Sequence, residues 1–148
     1  YALGCGESIA IARLAAQVDL PLLIPHRVVD VRQHHWLDTE RVIGVDEIGA
    51  LCRAVPEARV IACEGGFSAG ALLDRDGSPR YPGLYLESSR VAIDAFPEEF
   101  AAERIAFGTG APFKQIRPAQ LKVEVADLGA ESRERICGKN GRELLGLA

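Results

Sequence analysis

The chain has 148 residues, a formal net charge of −4 and 48% apolar residues, the values of one ordinary globular domain. No excess of Lys and Arg is available to neutralise phosphates, so nucleic-acid binding has no electrostatic support. No apolar run approaches the ~20 residues that cross a membrane as a helix.

Methionine is absent and the sequence opens at Tyr1, which reads as a fragment or partial gene, with residues 1–148 forming one domain. The first residues lack the basic start and long apolar core of a signal peptide. Four cysteines, Cys5, Cys52, Cys63 and Cys137, form no C-x-x-C pair. A chain this long needs no staples, so reduced thiols and a cytoplasmic location are expected.

In chain order, Ile11, Leu14, Ala15 and Val18 recur at helical spacing and predict a helix over Cys5–Val18. Leu20–Ile24 is a short continuous apolar run, a strand buried on both faces. His26–Thr39 is a polar-aromatic loop. A helix is predicted over Val45–Val55, its face formed by Val45, Ile48, Cys52 and Val55 and its first turn acidic at Asp46 and Glu47. Arg59–Cys63 is the second strand, broken at once by Glu64, Gly65 and Gly66. A short helix over Phe67–Leu73 and a turn-rich stretch lead to a third strand, Leu84–Glu87. Arg90–Phe100 reads as helical until Pro97 interrupts it. Ile105–Phe107 is the fourth strand and runs into Gly108-Thr109-Gly110, stopped by Pro112. Leu121, Val125 and Leu128 mark a further helix ending at Gly129. Ala130–Cys137 makes another, stopped by Gly138, and Asn140 caps a last turn carrying Leu144, Leu145 and Leu147.

Short strands alternating with helices imply an α/β fold with a parallel sheet and right-handed crossovers. Two architectures fit that pattern: a small open sheet, or part of a (β/α)8 barrel. A whole barrel takes about 250 residues and eight strands, and four strands are readable here.

Three strand ends carry a resemblance. RIAFGTGAP, followed by ESRERICGKNGRELLGL, resembles the last strand, helix and N-x-x-x-L-L of the amidohydrolase-related family of metal-dependent hydrolases. VIACEGG resembles that family's sixth strand, which ends in H-x-G-G, and LPLLIPHR resembles its fifth, P-x-x-x-H. The resemblance implies a partial (β/α)8 TIM-type barrel of about four parallel strands, corresponding to strands 5–8 and forming the C-terminal half of the barrel. It also implies a divalent metal, zinc, whose bound water is activated while the strand-eight aspartate takes its proton. Hydrolysis or decarboxylation of small acidic substrates is the activity implied. The first strand's H-x-H is not in this chain.

Carried over residue by residue, the family pattern departs at three positions. The fifth-strand histidine position is Pro25, with His26 one residue later. The sixth-strand histidine is Cys63, and the strand-eight aspartate is Gly110. The implied metal positions are therefore His26 and Cys63, and the catalytic carboxylate position carries no side chain. The metal site reads as degenerate, and catalysis by this chain alone is doubtful. The alternative is a metal-free binding or scaffold relative for a small anionic ligand.

Each candidate has a plain reading beside the functional one. His26 is a displaced ligand or a loop residue. Cys63 is a soft ligand or a buried apolar residue. Glu64 is an acid or base, or a partner for an arginine. His34, His35 and Trp36 wall a substrate pocket, or Trp36 is tucked beneath a structural loop. Arg90 clamps a substrate carboxylate, or pairs with Glu87 or Glu64. Gly65 and Gly66 cradle a phosphate or turn the chain. Four strands cut from a barrel leave two raw edges, so the chain is expected to form a homo-oligomer or to pair with a missing N-terminal half.

Overall fold

The computed structural model describes residues 2–27, 41–112 and 114–147. Four strands, β1 (Leu22–Pro25), β2 (Val60–Cys63), β3 (Leu84–Glu87) and β4 (Ile105–Ala106), form one parallel sheet in the order β1-β2-β3-β4. A doubly wound open sheet reverses its strand order at a switch point. Sequential order without reversal is instead the winding of a (β/α)8 barrel.

The register assigns the two faces. Leu22, Val60 and Leu84 stand side by side, as do Ile24, Ala62, Leu86 and Ile105. These rows pack into the main core with Ile48, Leu51, Val55, Phe100 and Ile136 from the helices. The alternate residues Ile61, Cys63, Tyr85 and Ala106 form a second, smaller cluster on the opposite face, joined by Leu144. The helix-facing core therefore holds the fold, and the opposite face is the interior of an arc.

The helices follow from local signals, with instructive exceptions. α1 (Gly6–Gln17) forms where predicted but buries its small side, Ser8 and Ala12. Its apolar stripe points outward: Ile11 and Leu14 are each 59% exposed and Val18 is 55% exposed. Periodicity identifies an apolar face; what covers it is not written in the helix. α2 (Val45–Ala54) buries Ile48, Leu51 and Cys52, in accord with its stripe. α3 (Ala69–Leu72) is one turn. Pro97 opens a helix instead of ending one. Only a 3-10 turn, Ile93–Ala95, precedes it, and α4 (Glu98–Arg104) follows with Glu98 and Glu99 in its first turn. Proline's fixed φ suits a helix start, where no N–H is required. In α5 (Ile116–Val125), Ala119 and Val123 are buried, whereas Leu121 and Val125 of the predicted stripe are exposed.

Gly138 does not stop the C-terminal helix. α6 (Ala130–Glu134), a π-helical turn (Arg135–Lys139) and α7 (Asn140–Leu144) run on continuously. Asn140 has helical dihedrals, φ −59° and ψ −41°, and so caps nothing. It is buried, and its amide donates to the carbonyls of Ala102 (2.7 Å) and Ile105 (2.8 Å). Among the described residues no helix is long and apolar enough to cross a membrane.

The two sheet edges are blunted differently. Leu22 and His26 donate their N–H groups to Arg59 and Cys63 across β2. Alternation turns the backbone of Pro21, Leu23 and Pro25 to the outer edge, where two of the three positions have no N–H. At the other edge, Phe107 N–H donates to the Ile136 carbonyl at 2.9 Å. The expectation of two raw edges is corrected on that side: the C-terminal helix covers it.

Candidate functional site

The carboxyl ends of β2, β3 and β4 bring together residues far apart in sequence. Glu64 leaves β2 with φ +59°, a left-handed backbone uncommon for a residue with a side chain. Its carboxylate accepts from Arg90 Nε at 3.0 Å and from Lys114 Nζ, with Ser89 Oγ at 3.4 Å. Burial would raise the pKa of Glu64. The hydrogen bonds and charges of Lys114 and Arg90 outweigh it and hold the carboxyl below its usual range.

Glu87, at the end of β3, accepts from Ser89 N–H at 2.8 Å and Ser89 Oγ at 2.6 Å. Ser88 is fully buried. Its hydroxyl donates to the Gly108 carbonyl (3.2 Å) and accepts from Gly108 N–H (3.1 Å), tying the end of β3 to the turn after β4. Lys122 reaches from α5 to the carbonyls of Ser88 and Ser89, both at 2.9 Å. Burial pulls its pKa down; the charge of Glu87 opposes this and that of Lys114 adds to it.

Gly110 has φ +70°. A Cβ built there would stand 2.7 Å from Glu64 Oε1 and 2.7 Å from Lys114 Cδ. The space a Gly110 side chain would need is already filled by the Glu64–Lys114 ion pair. A Cβ on Gly108 would likewise overlap the Glu87 carboxylate.

Glu64 and Arg90 therefore meet, in the ion pair anticipated as one alternative for each. His26 does not join them. Pro25 stands in register with Cys63, while His26 Nδ1 lies 2.6 Å from the Ile43 carbonyl and its ring packs edge-on against Phe67. Cys63 lies 3.6 Å from the Ile61 carbonyl, and burial, then the charges of Glu87 and Glu64, push its thiol up to about 11. His34, His35 and Trp36 lie outside the described residues.

Among the described residues no three His, Cys, Asp or Glu side chains converge as a metal site. At the positions the resemblance assigns to ligands, Pro25 offers no donor and Gly110 no side chain, and the nearby Glu64 carboxylate is engaged by Arg90 and Lys114. Sequence reading missed Ser88, Lys114 and Lys122. The two lysines lie in helical or turn segments with no motif, and only the fold brings them to the strand ends. Cys137 is exposed and Cys63 half-buried, so at pH 7 iodoacetamide is expected to alkylate Cys137 first, with Cys63 slower by about tenfold or more; peptide mapping over time reads the order.

A cleft of about 680 Å³ lies elsewhere, beside the start of β2 and β3, lined by Arg59, Tyr85, Arg104, Arg135 and Glu143 among others. Two of its arginines are already paired within the fold, Arg135 with Glu143 at 3.1 Å and Arg59 with Asp19 at 2.6 Å. Barrel sites are built at the carboxyl ends of strands, and the Glu64 cluster is there.

Neither a protein-family model nor a curated protein matches the chain. Solved structures do. 2,6-Dihydroxybenzoate decarboxylase from Rhizobium is 18% identical with a TM-score of 0.63, over 99% of this chain and 57% of that one. Dihydroxybenzoic acid decarboxylase from Polaromonas sp. JS666, with bound manganese and the inhibitor 2-nitroresorcinol, is 19% identical with a TM-score of 0.60, over 99% and 55%. A protein from Staphylococcus aureus provisionally assigned as an amidohydrolase is 16% identical with a TM-score of 0.66, over 99% and 61%. The chain thus has the fold of part of a (β/α)8 barrel, as in these structures. It spans little more than half the length of the structures it matches.

Proposed function

We propose that this chain supplies one side of a barrel site for a small acidic ligand, organised by Glu64, Arg90 and Lys114 in place of a metal held on these strands. The carrying observation is the Glu64–Lys114 pair filling the space beside Gly110, where the resemblance implies a proton-accepting aspartate. Arg90, Lys114 and Lys122 set three positive charges against the two of Glu64 and Glu87, so the strand ends carry an excess of one positive charge in a chain of net charge −4. Such a mouth attracts a carboxylate. Lys122 fixes the turn after β3 and Lys114 is the cation nearest the turn after β4. Glu64 holds Lys114 and Arg90 in place and competes with the ligand for them.

Decarboxylation or hydrolysis is the finer proposal. It requires a complete barrel, with a divalent metal carried by donors from outside the described residues. Zinc and manganese content separates the two readings: stoichiometric metal on this chain after dialysis rejects the metal-free one. For assembly, α1, β1 and the turn between them present Ile11, Leu14, Val18, Leu20 and Leu23 to solvent, and this flank is proposed to meet a second half, from another copy or an N-terminal portion. The four free cysteines accord with the proposed cytoplasmic location.

Calorimetric titration with 2,6-dihydroxybenzoate tests the ligand class. Binding is expected, and Lys114→Ala should weaken it about tenfold, the value of one charge-assisted hydrogen bond. No heat from any small carboxylate sinks the proposal. A sulfonate stays ionised as pH falls, so it isolates Glu64. Because the folded pKa of Glu64 lies below its usual value, the ion pairs are intact at neutral pH and are lost as pH drops through that depressed value. Sulfonate affinity should therefore rise over the same acidic range in which the ion pairs' contribution to stability disappears.

A further inference from the structure

The chain has three lysines, Lys114, Lys122 and Lys139. Two of them give their ammonium to a carboxylate, Lys114 to Glu64 and Lys139 to Glu134, the second at 3.3 Å. Lys122 is placed differently. Its Nζ donates to two neutral acceptors, the carbonyls of Ser88 and Ser89, both at 2.9 Å, and to no carboxylate among the described residues. An ammonium has three N–H donors and a neutral amine has two. Losing the third proton therefore leaves both of these Lys122 bonds intact, whereas the same loss at Lys114 or Lys139 breaks an ion pair. Burial lowers the pKa of Lys122; the charge of Glu87 opposes this and that of Lys114 adds to it. A desolvated lysine beside another cation is an activated nucleophile.

The neighbours of Lys122 indicate what it would attack. It is half-buried at the strand ends, and Ser89 links it to the Glu64 cluster. The Ser89 carbonyl takes Lys122, the Ser89 hydroxyl lies 3.4 Å from Glu64 Oε1, and Glu64 holds Lys114. A nucleophilic amine and a carboxylate-binding cation thus stand one residue apart, an arrangement that matches a carbonyl group next to a carboxylate. We propose that Lys122 condenses with the ketone of a small 2-oxo acid whose carboxylate is held by Lys114. The carboxylate half of this rests on the acidic-ligand reading above. The ammonium of Lys122 first sheds one proton. Its lone pair then attacks the ketone carbon and forms the C–N bond, and the C=O electron pair moves to oxygen. That oxygen leaves as water with the shed proton and one N–H proton. The balance is ammonium plus ketone giving iminium plus water, with no further reagent. The iminium keeps one N–H, enough for one of the two serine carbonyls.

Pyruvate with cyanoborohydride tests this on the whole chain. The reductant adds hydride to the iminium and leaves a stable carboxyethyl amine, which peptide mapping locates. At neutral pH Lys122 should carry at least about tenfold more adduct than Lys114 or Lys139, the gain in free amine that one pKa unit gives. Propanal offers the carbonyl without the carboxylate. In Lys114→Ala the ratio of pyruvate to propanal labelling at Lys122 should fall about tenfold, as expected for one lost charge-assisted hydrogen bond. Pyruvate adducts spread evenly over the three lysines overturn the nucleophile. An unchanged ratio in Lys114→Ala overturns the 2-oxo acid. 2,6-Dihydroxybenzoate has neither ketone nor aldehyde, so its binding decides the acidic-ligand reading separately from either outcome.

Discussion

Gly110→Asp, which restores the carboxylate the family resemblance implies, is expected to destabilise the chain by about 2–4 kcal/mol. Backbone strain at a positive φ contributes about 1–3 kcal/mol, and a Cβ forced against filled space contributes a similar amount. Here that space holds Glu64 Oε1 and Lys114 Cδ, both 2.7 Å from the built atom, and the new carboxylate faces the old one. Urea unfolding measures the loss. The decisive comparison is the double variant with Glu64→Gly. It removes the competing carboxylate and places glycine at the Glu64 backbone, φ +59°. Recovery of at least half the lost stability is expected, a coupling that independent sites do not show. Simple additivity would mean that the two positions do not share one space.

Ser88→Val is expected to cost about 2–4 kcal/mol, because it strands two backbone groups at once. Valine has nearly the shape of serine plus a methyl but neither donates nor accepts. The Gly108 N–H and C=O, held at 3.1 and 3.2 Å by the buried hydroxyl, would each lose their partner at about 1–3 kcal/mol apiece. The turn Gly108–Gly110 should then drift, so dihydroxybenzoate affinity should fall together with stability. Ser89→Ala, a half-buried hydroxyl on the carboxylates of Glu87 and Glu64, is the control and should cost less than about 1.5 kcal/mol. Equal losses for the two would show that the buried tie to Gly108 is not what positions the turn.

The strands were legible because those of a parallel sheet write themselves as uninterrupted apolar runs, but β1 is not buried on both faces as expected: Leu23 is 64% exposed and only Ile24 is buried. LPLLI, VIA and LYL are such runs, and the observed strands differ from the predicted ones by one or two residues at their ends. The helices were legible as helices, but their orientation was not. Ile11, Leu14, Leu121 and Val125 form good stripes that face outward, since nothing in a stripe records whether a neighbour is present to cover it. The site was half legible. Glu64 and Arg90 stand at strand ends and announced themselves through position. Lys114 and Lys122 sit 50 and 33 residues from the groups they bind, a distance over which spacing carries no information. Asn140 misled for a related reason: a capping residue by type, it is folded inward and spends its amide on another element.

The prolines along the outer edge of β1, Pro21 just before it and Pro25 at its end, have a consequence for colloidal behaviour. Fibrillar stacking needs an amide donor at every second residue along an outward edge. On this flank Pro21 and Pro25 remove two of three and leave Leu23 alone. An apolar surface can then recruit a specific neighbour through side chains while offering almost no template for indefinite growth. Exchanging both prolines for alanine should convert a contact of defined size into thioflavin-positive material.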